Sequence, residues 1–212
     1  PEGTARTYAI IGGADAARFS IVSTSGALRF ITAPNHESPT DANGDNVYEV
    51  IVRASDGTLS DSQTLLVGVT NVNEAPTITS NLGNTTIALA ENTLAVTTVT
   101  ASDPDGTAQT YSIAGGTDAA RFTIDAASGA LAFVQAPDFE APGDANADNS
   151  YQVIVRASDG TLSATQTLTI VVGNINETPV IGSDGGADSA TLQVLENTSA
   201  VTTVVASDPE GT

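Results

Sequence analysis

The chain repeats itself. Residues 1–76 align without a gap on residues 104–179, at an offset of 103, and 49 of the 76 positions are identical. Ala17-Arg18-Phe19 returns as Ala120-Arg121-Phe122, and residues 51–57 (Ile-Val-Arg-Ala-Ser-Asp-Gly) return as 154–160. A second block, residues 89–107, recurs at 194–212 with an offset of 105, so two residues are inserted between Ile181 and Thr191. A unit near 100 residues is too long for a solenoid turn. It suits a string of domains, each with its own core. The boundary falls in the Asn-x-Asn-Glu-x-Pro stretches at 71–76 and 174–179. Residues 1–74 are then a repeat lacking its first two strands, residues 75–177 a complete repeat, and residues 178–212 the first two strands of a third. Those two strands are expected to complement residues 1–74 of a neighbouring chain or copy. The polar start, Pro1-Glu2-Gly3-Thr4, holds no apolar leader, so the chain reads as a processed product or a window on a longer array.

Inside the complete repeat the apolar residues alternate with period two, the mark of half-buried strands. Tyr151, Val153, Val155 and Ala157 share one face, as do Leu168, Ile170 and Val172. Shorter pairs are Tyr111/Ile113, Phe122/Ile124 and Leu131/Phe133, and strands near 86–90 and 95–102 bring the count to seven. Turn chemistry separates them at Asp105-Gly106, Gly115-Gly116, Ser128-Gly129 and Asp159-Gly160. No window sustains a 3.6-residue period, and only the 118–121 stretch fits one helical turn. The pattern predicts an all-β fold of tandem Greek-key, immunoglobulin-like sandwiches, seven strands each. The nine aromatic residues fall mostly on inward strand positions and are read as core.

Composition removes several functions. There are 25 acidic residues against six basic ones, all arginine, for a net charge of -19. Nucleic acids and anionic membranes need basic surfaces, so both are excluded as partners. No apolar run is long enough to insert into a membrane. Cys and Lys are absent, which removes disulfides, thiolate metal sites and Schiff-base chemistry. His36, the one histidine, stands where the second repeat has Phe139, so no shared Ser/His/Asp triad exists. Paired carboxylates such as Asp138 and Glu140 belong to a repeated strand-end motif, which favours metal ligation over glycoside hydrolysis. The chain reads as no enzyme.

The acidic residues gather at strand ends and in the linkers. Alternate strand ends of a sandwich share a pole, and hard oxygen ligands at that density suit Ca2+. Four segments then occur in order, Leu89-Ala90-Glu91-Asn92, Asp103-Pro104-Asp105-Gly106, Asp138-Phe139-Glu140 and Ala157-Ser158-Asp159-Gly160, and a fifth, the linker Asn71-Val72-Asn73-Glu74-Ala75-Pro76, precedes them. Together they resemble a cadherin-type repeat: its first-strand glutamate, Asp-x-Asp, Asp-x-Glu, Ala-x-Asp-x-Gly and Asp-x-Asn-Asp-Asn-Pro motifs. The resemblance covers the whole chain and implies calcium between successive domains. It assigns Glu37, Asn71, Asn73, Glu74, Asp103, Asp105 and Asp159 to the first junction. To the second it assigns Glu91, Asp138, Glu140, Asn174, Asn176, Glu177, Asp208 and Glu210. Asn71 and Asn174 stand where the family has Asp, Ala75 and Thr178 replace its second Asn, and Asn35 replaces the Asp of Asp-x-Glu. Fewer charges imply one or two ions per junction. The near-identical units, the Asp-Asn-x-Tyr element and the lack of Cys and Lys resemble large bacterial surface adhesins, of the RTX type or the rhizobial adhering type.

The expected function is that of an extracellular or cell-surface adhesin or fibre segment whose domain junctions calcium stiffens. Neighbouring copies of the repeat, head to tail, are the expected partners, with polysaccharide or another cell surface as ligand. The rival reading is a calcium-dependent lectin for exopolysaccharide, which needs exposed aromatic residues such as Phe139. One further motif leaves two readings open. Asp144, Asn146 and Asp148, with their copy Asp41, Asn43 and Asp45, space oxygens two apart. They form either an Asx-rich turn or an intradomain calcium site.

Overall fold

The computed structural model describes residues 6–209 and divides into two compact units, residues 1–74 and 75–212. The first contains β1 (Thr7–Gly12), β2 (Phe19–Ile21), β3 (Leu28–Phe30), β4 (Val47–Ser55) and β5 (Ser60–Gly68). The second contains β6 (Thr77–Ile78), β7 (Thr86–Ala90), β8 (Ala95–Thr98), β9 (Ala101–Ser102), β10 (Thr110–Gly115), β11 (Phe122–Ile124), β12 (Ala130–Phe133), β13 (Ser150–Ser158), β14 (Ser163–Gly173), β15 (Val180–Ile181) and β16 (Ala206–Ser207).

In the second unit two sheets face each other, one ordered β10-β13-β14-β7 and the other β11-β12-β8. This is the seven-stranded sandwich that the alternation predicts. Between the sheets lie Val99, Phe122, Leu131, Phe133, Tyr151, Val153, Val155, Leu168, Ile170 and Val172. Phe122 and Phe133 pack with centroids 4.5 Å apart, and Tyr151 meets Phe133 edge-on. One ladder is parallel: β14 carries β7 on its outer edge, with Ile170 opposite Ile87 and Val172 opposite Leu89. The predicted strand over 95–102 is broken after Thr98, because the chain leaves β12 there and turns back to pair β9 with β6. The expected helical turn is a 3-10 turn at Ala119–Arg121.

Glycines are required where backbones cross closely. Gly129 has a φ of +73°, and a Cβ there would stand 2.1 Å from the Val99 carbonyl oxygen. Gly116 follows the bulge at the end of β10, and its Cβ would meet Gln152 O at 2.5 Å.

The first unit repeats this frame with fewer parts. Its sheets are β1-β4-β5 and β2-β3. Among its described residues, Phe19, Tyr48 and Val50 form the buried apolar cluster. Leu65, Val67 and Val69 are half-buried there, whereas their counterparts Leu168, Ile170 and Val172 are at most 2% exposed. Among the described residues of 178–212, the strands are β15 and β16, paired through Val180–Ser207 and Ile181–Ala206; the expected strand around Val194-Leu195 is not formed, and of the expected strand over 201–207 only Ala206–Ser207 is. Residues 191–205 form no strand, and their apolar side chains face solvent.

Candidate metal centre

The site of the second unit is built around Glu91, at the end of β7. The neighbouring strand holds the Glu91 backbone in place through Glu91 N–H to Gly173 O at 3.0 Å. Asn92 follows in the left-handed conformation (φ 60°), and its N–H donates to Pro137 O at 2.9 Å. This corner turns the Glu91 side chain inward, where it is 1% exposed. Its Oε2 accepts the Phe139 N–H at 2.8 Å, and its Oε1 accepts the Ile175 N–H at 2.7 Å. One buried carboxylate therefore ties the 137–140 loop and the 174–177 linker to the first strand. A buried carboxylate persists when backbone donors satisfy it.

The loop and the linker each bring a second carboxylate. Oxygens of Glu91, Glu140 and Glu177 lie within 4.8 Å of one another. Side-chain amides hold the group: Asn174 Nδ2 donates to Glu140 Oε1, and Asn92 Nδ2 donates to Glu177 Oε1 at 3.2 Å. Of the residues assigned to the second junction, Asp138 turns its Oδ1 to the Ala141 N–H and Asn176 donates to Glu177 O. Asp208 lies outside the three-glutamate group, and Glu210 lies outside the described residues. Asn92 is a participant that sequence reading passed over. Its signal was its place directly after the motif glutamate, in a left-handed corner that favours Asn.

The residues assigned to the first junction divide between the units. In the first unit, Glu37 and Glu74 bring oxygens within 4.8 Å of each other. His36 Nδ1 meets Glu37 Oε1 at 3.2 Å, and Asn73 Nδ2 donates to Glu74 O. Asn71 lies in the exposed linker beside them. In the second unit, Asp103 Oδ1 accepts the Asp105 N–H at 2.9 Å. Asp103 Oδ2 is buried and accepts no hydrogen bond. Asp159 Oδ1 takes the N–H groups of Thr161 and Leu162, both at 2.6 Å.

These residues fit a hard divalent cation. All the donors are oxygens, three carboxylates converge on one point, and a carboxylate oxygen that accepts one N–H keeps a further lone pair. The buried, unsatisfied Asp103 Oδ2 is a place where a cation would offset an uncompensated charge.

The Asp144 loop is organised differently. Asp144 Oδ2 accepts the Asp148 N–H, Asp148 Oδ1 accepts the Ser150 N–H, and Asn146 Nδ2 donates to Asp148 Oδ2, each near 2.8–2.9 Å. Burial pushes the Asp144 carboxyl up, but the N–H groups of Asp148, Asn149 and Asn146 outweigh it and hold it below the ordinary carboxylate value. Asp118, almost fully buried, braces the same loop by accepting from Ala145 and Gln152 at 2.8 Å. The copy around Asp15, Asp41, Asn43 and Asp45 repeats these bonds. The oxygens of this loop serve turn hydrogen bonds, as an Asx-rich turn requires. Phe139 packs against the core, and none of the nine aromatic residues is exposed. The stacking platform that the lectin reading needs is absent among the described residues.

Sandwich topology and clustered strand-end carboxylates define the class: an immunoglobulin-like β-sandwich with acidic strand ends. Residues 85–173 match the family described as Cadherin domain, an adhesion module and not an enzyme. The chain is 32% identical over 190 residues to Protocadherin Fat 1 of Homo sapiens, covering 84% of this chain and 4% of that protein. It is 32% identical over 221 residues to Cadherin-99C of Drosophila melanogaster, covering 99% of this chain and 12% of that protein. The chain thus spans a small part of the length of these relatives. Among solved structures it resembles human Protocadherin-24 EC1-2, form II, with a TM-score of 0.54 and 20% identity over 82% of this chain and 84% of that one. It also resembles Protocadherin Gamma B2 extracellular cadherin domains 3–6, with a TM-score of 0.53 and 21% identity over 98% of this chain and 52% of that one. Both likenesses show the fold.

Proposed function

We propose that this chain is a segment of an extracellular adhesion protein in which calcium stiffens the joints between sandwiches. The observation that carries the reading is the convergence of Glu91, Glu140 and Glu177, three carboxylates within 4.8 Å drawn from the first strand, a loop and the linker. Like charges at that spacing repel, and a divalent cation bridging them would fasten the linker to the domain pole. Asp138, Asn174, Asn176, Asp208 and Glu210 join this second-junction set by resemblance. On the sequence repeat the reading extends to Glu37, Asn71, Asn73, Glu74, Asp103, Asp105 and Asp159 at the first junction. The Asp144, Asn146 and Asp148 oxygens are not needed for it. Neighbouring copies of the repeat, head to tail, are the partners this arrangement favours. The close similarity of the units, 49 of 76 positions identical, and the lack of Cys and Lys support a large bacterial surface adhesin as the parent, although the relatives named above are animal proteins.

Titration calorimetry is the test. With asparagine in place of the family's first linker aspartate, the dissociation constant is expected at the weak end for extracellular modules, about 10⁻⁴–10⁻³ M. Glu91→Gln and Asp103→Ala should each weaken it. Small-angle scattering should report a longer, narrower size distribution in calcium than in chelator. No heat at millimolar calcium, with identical scattering in both conditions, rejects the reading.

A further inference from the structure

Gly44 follows Asn43, and none of the other asparagines precedes a glycine. The pair sits in the loop Asp41-Ala42-Asn43-Gly44-Asp45-Asn46, which leads into β4. The copy in the second unit, Asp144-Ala145-Asn146-Ala147-Asp148-Asn149, keeps the same side-chain bonds. The two loops differ at one position, glycine in the first and alanine in the second.

That position decides whether the preceding asparagine can react. An asparagine carboxamide can close a five-membered ring with the next residue's backbone nitrogen. Closure is opposed by that residue's side chain and by the stiffness of its main chain. Gly44 removes both obstacles: its φ is +74°, and nothing lies within 4 Å of where a Cβ would stand. The Asn43 side chain is folded forward across Gly44, because its Nδ2 donates to Asp45 Oδ2 at 2.8 Å. Ala147 holds the same left-handed corner at φ 58°, a restrictive well for a residue with a Cβ. Its methyl stands beside the nitrogen that would attack. Asn43 and Gly44 are exposed, as are Asn146 and Ala147, so exposure does not separate the sites.

We infer that Asn43 is a self-modifying site, converting to aspartyl and isoaspartyl residues through a succinimide, and that Asn146 is its protected twin. The Gly44 nitrogen loses its proton to hydroxide and attacks Asn43 Cγ. The N–Cγ bond forms, the Cγ–Nδ2 bond breaks and ammonia leaves. Water then opens the ring at either carbonyl, with no change of oxidation state. No enzyme and no metal ion takes part, so the site stands apart from the calcium reading above.

Either product puts a new negative charge between Asp41 and Asp45, and repulsion replaces the Asn43–Asp45 hydrogen bond. The isoaspartyl form also lengthens the main chain by one methylene. Asp45 then loses the register in which its N–H reaches Asp41 Oδ2 and its Oδ1 takes the Val47 N–H, both at 2.8 Å. Those bonds launch β4, so ageing loosens the first unit and spares the second.

Timed incubation of the 212-residue chain in neutral and in alkaline buffer, followed by peptide mapping, tests this. Cleavage after arginine separates the sites: peptide 30–53 carries Asn43 and peptide 122–156 carries Asn146. Asn43 should gain about one dalton, faster at higher pH, with isoaspartate identified by electron-transfer fragmentation. Its rate should exceed that of Asn146 about tenfold or more, a barrier difference of about 1.4 kcal/mol. Gly44→Ala should slow Asn43 and Ala147→Gly should speed Asn146, each by a similar factor; each puts in one loop what the other already holds. Hydrogen exchange of the aged chain should show protection lost over residues 45–50 and kept over 148–153. Equal rates at the two asparagines, or an Asn43 that stays intact while the urea-unfolded chain converts, overturns the site. Conversion with protection kept over 45–50 upholds the site and overturns the loosening of β4.

Discussion

At the scale of single residues, Glu91 carries two separable roles. Its carboxylate is a candidate ligand, and it is also a structural acceptor for Phe139 and Ile175 N–H without any ion. Glu91→Ala strands two buried donors, each costing about 1–3 kcal/mol. Chemical denaturation in chelator should show the second unit destabilised by about 2–4 kcal/mol. Glu91→Gln keeps one amide oxygen as acceptor, so its loss in chelator should be smaller. A ligand with no structural role would leave chelator stability unchanged in both variants. Glu91 was legible in the sequence as an acidic residue at a strand end. Its two backbone partners were not, because a loop 48 residues away and a linker 84 residues away are joined only by folding.

At the scale of elements, the sequence carried the strands well where both faces are regular. Tyr151, Val153 and Val155 alternate and are 2%, 0% and 0% exposed. It carried less where an element depends on a distant edge. The 95–102 run looks continuous, yet breaks because two different strands claim its halves. Residues 200–204 copy residues 95–99 letter for letter and form no strand, because a strand is a property of a pair. Gly129 is legible as a turn glycine, but its closeness to Val99 O is not. Gly129→Ala would place a methyl against that carbonyl and force β12 away from residues 98–99, at a cost of about 2–4 kcal/mol. Gly106→Ala, also at positive φ but with nothing within 4 Å, should cost only about 1 kcal/mol. Equal losses for the two in thermal melts would contradict the crowding argument.

At the scale of the molecule, the two units should not unfold together. Among the described residues, ten buried apolar side chains hold the second unit and three hold the first. A buried aliphatic or aromatic side chain contributes about 1.5–3 kcal/mol, so the difference is large against the margin of a domain. Calorimetry of the dilute chain in chelator should give two transitions, the first unit melting lower. Val50→Ala should lower only the first, and Val153→Ala only the second. A single transition shifted by either variant would show that the units are one cooperative body.

The parallel ladder of β7 and β14 has a mechanical consequence. After the short β6, the chain runs into one end of β7, and it leaves the sandwich at the opposite end of β14. Tension on the polypeptide therefore drags these two neighbours past each other, along their shared axis. Their five registered pairs, from Thr86 opposite Thr169 to Ala90 opposite Gly173, take the load together rather than in turn. A hairpin pulled from its open end yields one rung at a time; this ladder has to slip as a whole. A tether of such units would hold its length under steady pull and then give way abruptly, one unit per event.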